Sequence, residues 1–239
     1  MEKNAAEVAG RQAKVVGARS LVEAAYETLR QDILTGALPP GLKLRFEMLR
    51  ERYGVGASTL REALTRLVGE ALVTSEEQRG FRVAEISLDD FADLTASRKL
   101  VEIEALRQSI IFGDDAWEGA LVGAYHRLSK VEEKLAEEKP ETSELRDEFE
   151  TRNRDFHFTL IAACPSRWVK HMHGILFQQS ERYRRISLAA RFEPRDVHAE
   201  HKAILDAALA RDVDLACRLE AEHIDKTLAL LSRNLPALA

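Results

Sequence analysis

The sequence predicts a mainly α-helical protein that carries one short β-hairpin near residue 80. Its 239 residues include only 12 Gly and 6 Pro, and they are rich in Ala, Leu, Glu and Arg, which are strong helix formers. Apolar residues recur at the i, i+3, i+4 spacing of an amphipathic helix along most of the chain. Only between residues 71 and 84 does the pattern change, to two short runs of β type around a charged turn. We therefore expect helices on both sides of a small hairpin.

Composition and charge narrow the class of protein. Hydrophobic residues make up 45% of the chain and charged residues 31%, which suits a folded protein with a proper core. Two cysteines are too few for a disulfide framework, and no apolar run has the length of a signal peptide or a membrane span, so we expect a cytoplasmic protein. Residues 1–84 hold 13 basic and 11 acidic residues, whereas the rest hold 22 and 29. The front of the chain is therefore better suited to a polyanionic partner.

The front of the chain divides into an arm and a small domain. Residues 1–18 show no apolar period and are expected to form a flexible N-terminal arm. Residues 19–86 form the first predicted domain, in which Ser20 is a suitable N-cap and Gly36 a suitable helix stop. The expected helices cover residues 20–35, 46–53 and 58–70, and the expected strands cover 71–74 and 80–84.

The remainder, residues 87–239, is predicted to be all-helical. Glycines and prolines are sparse there, and they fall between stretches that each have an apolar stripe and a charged face. The expected helices cover residues 88–112, 115–138, 141–163, 166–190, 194–210 and 212–232. Six helices of this kind predict a bundle that serves as a ligand-binding and dimerisation domain.

Three helices followed by a hairpin are the layout of a winged helix-turn-helix DNA-binding domain. Ser58 and Thr59 would lie at the exposed N-terminus of the recognition helix, and Arg61 suits the O6 and N7 atoms of guanine. Arg79 and Gly80 fall in the wing. The candidate DNA-contacting residues are Arg45, Ser58, Thr59, Arg61, Arg79 and Gly80. The alternative for each single arginine is an ordinary solvated charge.

Several motifs in this region resemble the N-terminal domain of the GntR family of bacterial transcription regulators. They are Leu38-Pro39-Pro40-Gly41, the run 49–55, Leu60-Arg61-Glu62-Ala63-Leu64 with Leu67, Leu72-Val73, and Gly80-Phe81-Arg82-Val83. The chain reads Gly56-Ala57-Ser58-Thr59 where many members have Ser-Arg-Thr-Pro, so the resemblance implies a different operator. Together with Lys43-Leu44-Arg45, this version is similar to the branch that contains the carbon-starvation repressor responsive to glutarate.

Histidines on three separate predicted helices supply a second candidate site. His157, His201 and His223 could be gathered by the bundle, and Asn153 lies one helical turn before His157 on the same face. Three imidazoles and a carboxamide oxygen suit a borderline divalent ion such as zinc or nickel. Ordinary hydrogen-bonded helix histidines are the alternative, and His171 and His173 are expected to be partly solvated side chains of that kind.

The second domain is similar to the FCD effector domain that follows the DNA-binding module in one GntR subfamily. The resemblance rests on Asn153–Leu160, Glu200-His201 with Ile204, His223, and Arg98 four residues before Glu102. It implies a metal site, although metal-containing members have an acidic residue at the place of Asn153. Arg98 is the first candidate to clamp the carboxylate of an effector, because a guanidinium binds a carboxylate in a bidentate manner. Arg152, Arg182 and Tyr183 are weaker candidates.

Two functions remain open at this point. The first is a dimeric, ligand-responsive regulator, expected to be a repressor, that binds a palindromic operator and is released by a small carboxylate metabolite. The second is a metal-dependent enzyme that acts on a small acid at the three histidines. The sequence has no HExxH, nucleophile elbow, P-loop or paired-cysteine motif, which favours the regulator and predicts no catalytic residues.

Overall fold

The structure is a computed structural model, and it describes residues 21–76, 80–137, 142–189 and 195–234. The predicted arm at residues 1–18 and the candidate wing residue Arg79 lie outside these ranges. The chain divides into two compact units, Met1–Glu85 and Ile86–Ala239. Within the described residues the protein is mainly helical with a small sheet in the first unit, so the predicted fold class is confirmed.

In its described residues, 21–76 and 80–85, the first unit combines three helices with a three-stranded antiparallel sheet. Its elements are α1 (Leu21–Leu34), β1 (Lys43–Leu44), α2 (Phe46–Tyr53), α3 (Ala57–Gly69), β2 (Val73–Glu76) and β3 (Gly80–Val83). The strand order is β1-β3-β2, and the register pairs Lys43 with Arg82 and Val73 with Val83. The short strand β1 was not predicted, because two extended residues carry no readable alternation.

The predicted start of the first hairpin strand, at residue 71, was two residues early. Ala71 has a φ of 51°, a left-handed conformation that a strand residue does not adopt. The amides of Ala71 and Leu72 bond back to the carbonyls of Val68 and Leu67. These two residues therefore close the end of α3, and β2 begins only at Val73.

Buried leucines from each of the three described helices form the core of the first unit. Leu29 of α1, Leu49 of α2, and Leu60 and Leu64 of α3 are all fully buried. Phe81 of β3 covers the same core from the sheet side. This packing holds α2 and α3 in a fixed relation, with their N-terminal residues at the surface.

The described part of the second unit contains six helices, at nearly the predicted positions. They are α4 (Leu88–Phe112), α5 (Asp115–Glu137), α6 (Ser143–Leu160), α7 (Arg167–Ala189), α8 (Val197–Leu209) and α9 (Val213–Asn234). Side-chain caps begin all six, because in each case an oxygen of the residue before the helix accepts a bond from a backbone N–H three residues later. The capping residues are Ser87, Asp114, Thr142, Ser166, Asp196 and Asp212. Among the described helices, none is long and apolar enough to cross a membrane.

The interior of the second unit contains a polar layer. Apolar residues such as Leu106, Leu121, Phe156 and Ile204 form the main core. Five helices also direct charged or imidazole side chains inward, and these are at most 1% exposed: Glu102, His157, His173, His201 and Glu220. Buried charged groups are rare in proteins unless they are paired or bind a ligand. This layer is therefore the first place to look for a site.

Candidate functional site

The turn between α2 and α3 presents the first candidate surface. Gly54 ends α2 in the left-handed conformation, with φ 66°, and its N–H bonds to the carbonyl of Arg50 at 2.9 Å. Gly56 precedes α3 and supplies no side-chain cap. The first N–H groups of α3 thus remain available to an anion such as phosphate. Ser58 is exposed and Thr59 half-buried at this end of the helix.

Some arginines of the first unit are already paired with a carboxylate, and others are not. Arg30, Arg52 and Arg66 are ion-paired, with Glu70 at 3.3 Å, Asp32 at 2.7 Å and Glu23 at 2.6 Å respectively. In contrast, Arg45 and Arg61 are exposed and form no ion pair with any residue that the structure describes. These two cations are free to meet an external anion.

The available arginines lie near the turn and the sheet. Arg45 immediately precedes α2, and the guanidinium of Arg61 lies 5.2 Å from the ring centre of Phe46, which limits its motion. Gly80 is exposed, and its φ of 94° lets the backbone follow a path that side-chain-bearing residues rarely adopt.

The three predicted histidines converge in the second unit. His157 of α6, His201 of α8 and His223 of α9 each offer a donor atom, and these atoms lie within 4.8 Å of one another. His157 and His201 are at most 1% exposed. Asn153 is buried one turn before His157 on α6.

Carboxylates orient two of the three rings. The Nδ1 atom of His201 lies 2.6 Å from Glu132, and the Nδ1 atom of His223 lies 2.8 Å from Glu200. The Nε2 atom of His201 is buried and has no hydrogen-bond partner in the ranges that the structure describes. A carboxylate on one ring nitrogen with the other nitrogen left open is the usual arrangement around a metal-binding histidine. The sequence analysis did not include Glu132, because its role depends on the packing of α5 against α8.

Burial keeps two of these imidazoles neutral. Desolvation lowers the pKa of His201 and lowers that of His223 well below its usual value, although Glu132 and Glu200 partly oppose the shift. Burial alone would also lower the pKa of His157, but the carboxylates of Glu220 and Glu102 outweigh it and raise that pKa to about 9. His157 is therefore the cationic ring of the cluster in the metal-free protein.

An acidic group adjoins the histidines. The Nδ1 atom of His157 lies 3.2 Å from Glu220 and 3.4 Å from Glu102. Glu102 is also held by Arg98 at 2.9 Å and lies 3.3 Å from the Nε2 atom of His173. His173 is 1% exposed, so the prediction of a partly solvated side chain was wrong for it. The helix start at residue 167 turns His173 inward and leaves His171 exposed.

Comparisons with known proteins match each of the two units to a known domain family. Residues 21–83 match the family described as "Bacterial regulatory proteins, gntR family", and residues 93–226 match the FCD domain. The chain belongs to the GntR family. Its members are DNA-binding transcriptional regulators, so this protein is a DNA-binding transcriptional regulator and not an enzyme.

Relatives of this GntR-family chain match it over most of its length. The regulator BphR of Paraburkholderia xenovorans strain LB400 is 43% identical over 91% of this chain and 87% of its own. The HTH-type transcriptional repressor GlaR of Escherichia coli strain K12 is 36% identical over 83% of this chain and 90% of its own. Among solved structures, E. coli McbR/YncC shares the fold, with a TM-score of 0.70 at 20% identity over 91% of this chain and 100% of that one.

The four predicted effector residues of this GntR-family protein lie in different surroundings. Arg98 is 6% exposed, and its guanidinium lies 5.2 Å from the ring centre of Phe177. Its Nε atom is buried, with no hydrogen-bond partner in the described part of the chain. Arg152 lies on a half-exposed face, 3.5 Å from Asp155. Arg182 is buried on α7. Arg98 forms an ion pair with Glu102, and Glu102 also lies within ion-pair distance of His157 and His173.

Tyr183 belongs to a separate cluster in the FCD domain. It stacks on Phe91 with ring centres 4.2 Å apart, and its hydroxyl donates to the carboxylate of Asp90 at 2.8 Å. Its partners thus differ from those of the histidines. An effector role for Tyr183, as for Arg152 and Arg182, stays a prediction.

Proposed function

We propose that this GntR-family regulator is a homodimeric repressor that leaves a palindromic operator when a small carboxylate binds beside a divalent cation in its FCD domain. The observation that carries the proposal is the convergence of three buried histidine donors within 4.8 Å. Arg98 is bonded to Glu102, which lies 3.4 Å from His157, and the Nε atom of Arg98 has no hydrogen-bond partner among the described residues. The name of the relative GlaR, a transcriptional repressor, supports repression as the direction of control, and binding to operator DNA implies a cytoplasmic location.

The DNA-binding part of the proposal rests on exposed arginines that can bind an external anion. Arg45 and Arg61 are exposed and have no carboxylate partner in the described ranges. Ser58 and Thr59 would offer hydroxyls and N–H groups to phosphate at the start of α3, while Arg61 would read guanine. Gly80 would let the wing approach the DNA backbone closely, with Arg79 as a further cation of the wing.

The metal part of the proposal rests on the donor set. His157, His201, His223 and Asn153 would hold the ion, and three imidazole nitrogens suit zinc or nickel. The buried, partnerless Nε2 atom of His201 fits such an ion. When bound, the ion would supply positive charge for a carboxylate oxygen. Arg98 would then bind the same carboxylate, or a second one, through its planar guanidinium.

A twofold dimer is proposed from the surface of α4. Leu100 and Ile111 lie on the same side of this helix and are 79% and 59% exposed, and the neighbouring Phe112 is 63% exposed. Large apolar side chains on one surface are typical of interaction sites, and most homo-oligomers close with twofold symmetry. Paired recognition helices would match a palindromic operator.

Effector control requires that the ligand bind the DNA-free form more tightly than the DNA-bound form. Coupling free energies of about 1–3 kcal/mol are typical of such systems. The test uses labelled duplex DNA from upstream of the gene, and fluorescence anisotropy measures how much of it the protein binds. C3 to C6 dicarboxylates are then added one at a time, with and without zinc. Release of DNA by one member of the series is expected. Absence of DNA binding at low salt would contradict the proposal.

A further inference from the structure

Glu132 of α5 is a nearly buried carboxylate that contacts two imidazoles of α8. Its Oε1 atom lies 2.6 Å from the Nδ1 atom of His201, and its Oε2 atom lies 3.0 Å from the Nδ1 atom of His198. The side chain of Glu132 is 5% exposed and that of His201 is fully buried, whereas 43% of the His198 side chain is exposed. One carboxylate therefore connects a buried ring of the histidine cluster with a ring at the surface.

The chemistry of the carboxylate fixes the proton positions on these rings. An ionised Glu132 can only accept hydrogen bonds, so the Nδ1 atoms of His198 and His201 both donate to it. A neutral imidazole carries one proton, and in His201 this proton is then on Nδ1, which leaves the lone pair on Nε2. Glu132 thus selects the tautomer of His201 that offers Nε2 to an ion.

Glu132 needs a second partner to hold this position. A glutamate side chain has several rotatable bonds, and ordering them costs free energy. The bond from His201 alone would leave the other carboxylate oxygen unpaired where little water reaches it. His198 supplies the missing donor. Two exposed charges gain little from pairing, but here one member of the pair is nearly buried, so the contact fixes the plane of the carboxylate.

The arrangement behind His223 is different. Glu200 lies 2.8 Å from the Nδ1 atom of His223 and accepts from Arg195 at 2.6 Å. Arg195 also donates to the hydroxyl of Thr227 and to the main-chain carbonyl of His223, so it joins the start of α8 to α9 independently of the ring. In the ranges that the structure describes, the side chain of His198 has no hydrogen-bond or ion-pair partner other than the carboxylate of α5.

We infer that His198 is a positioning residue of the metal site: through Glu132 it holds the ring of His201 so that Nε2 faces the ion. The inference rests on the metal site proposed above and deepens it, because it adds a residue that is not itself a ligand. The affinity of a buried ion then depends on a side chain that solvent reaches.

The test compares the zinc affinity of the full-length, metal-stripped chain, measured by competition with a chelating dye. Loss of a group directly behind a ligand weakens metal binding about 10- to 100-fold, and His198 acts one hydrogen bond further away, so we expect about 3- to 10-fold weaker binding in His198→Ala. The matched control is His126→Ala, which removes an exposed imidazole of α5 and should bind zinc as the wild type does.

A conservative variant separates positioning from the loss of a side chain. In His198→Asn the amide N–H can donate to Glu132 in place of Nδ1, and we expect most of the zinc affinity to return. Both metal-free variants should keep the wild-type circular dichroism, because a half-exposed pair contributes little to folding. A lower helical content in metal-free His198→Ala would overturn the inference, since His198 would then serve folding.

Nitrogen NMR of histidine-labelled, metal-free protein reports the tautomer of His201, which a purely structural role of His198 would not change. The signal of His201 is the one that His201→Ala lacks. We expect a proton on Nδ1 in the wild type and a mixture of tautomers in His198→Ala. The same tautomer in both proteins would contradict a positioning role.

A double variant tests whether His198 acts through Glu132. Glu132→Gln combined with His198→Ala should bind zinc as weakly as Glu132→Gln alone, because residues that act through one contact are not additive. If the two losses multiply instead, His198 acts by another route and the inference is wrong.

The remaining outcomes distinguish the inference from the proposed function. If the wild type binds zinc, His157→Ala loses it, and His198→Ala binds as the wild type does, only the role of His198 is refuted. If the wild type binds no zinc, the proposed metal site itself is wrong, and the inference falls with it.

Discussion

Two arginines, one in each unit, show how the same side chain is prepared for different anions. Arg61 and Arg98 both stack on a phenylalanine, each with 5.2 Å between guanidinium and ring centre. Arg61 is exposed and has no described ion pair, whereas Arg98 is 6% exposed and bonded to Glu102. An extended polyanion can reach only a surface cation. A small carboxylate instead gains most from a cation that is already removed from water, where charges interact more strongly.

Substitution of a buried histidine is expected to have the largest effect, a loss of zinc affinity. His157→Ala should lower zinc affinity by more than about 100-fold, because loss of a ligand exceeds the roughly 10- to 100-fold cost of changing a group behind one. Elemental analysis of the dialysed protein measures the metal that it retains. His171→Ala, which removes an exposed imidazole, is the control and should keep the wild-type metal content. Full occupancy in His157→Ala would contradict the proposed site.

Substitution of the exposed arginine is expected to have the second-largest effect, a loss of operator affinity. Arg61→Ala should weaken operator binding by about 1–3 kcal/mol, which is roughly 5- to 150-fold in Kd, while the fold is kept. Arg66→Ala is the matched control on the same helix, since Arg66 is already paired with Glu23 at 2.6 Å. Anisotropy titrations at one fixed salt concentration compare the two. Equal operator affinity in Arg61→Ala and the wild type would remove Arg61 from the DNA contacts.

The buried arginine gives a smaller change that tests its geometry. Arg98→Lys keeps the charge but loses the planar fork, so carboxylate binding should weaken by about tenfold, or about 1.4 kcal/mol. Isothermal titration with the releasing dicarboxylate measures the change. DNA affinity without effector should stay as in the wild type. Unchanged carboxylate affinity would show that Arg98 does not bind the effector.

Removal of a helix cap is expected to have the smallest effect, a small loss of thermal stability. Asp196 accepts a bond from the N–H of Ala199 at 2.9 Å and starts α8, which carries His201. Asp196→Ala should cost about 1 kcal/mol and lower Tm by about 2–4 °C. Asp206→Ala on the same helix removes only an exposed pair with Lys202 and should shift Tm less. Equal shifts in thermal melts would argue against the cap.

The sequence predicted helix positions well where local signals were strong. The helix from residue 88 to 112 was predicted with the bounds that the structure has, because Ser87 caps its start and Gly113 follows its end. The predicted helix 141–163 was too long, because the helix ends at Leu160 in the structure. The sequence did not show this end, since no glycine or proline marks it before Pro165. Strand β1 was missed because it forms only through its pairing with β3.

The sequence by itself determined the helices, their apolar faces, the available residue types and the family resemblance, because periodicity, caps and motifs are properties of neighbouring residues. Tertiary structure decided which charges meet. It turned His173 inward against Glu102, placed Glu132 behind His201 and brought Glu220 to His157. Glu220 and His157 are 63 residues apart in the sequence, and packing of separate helices is what brings such residues together and removes them from water.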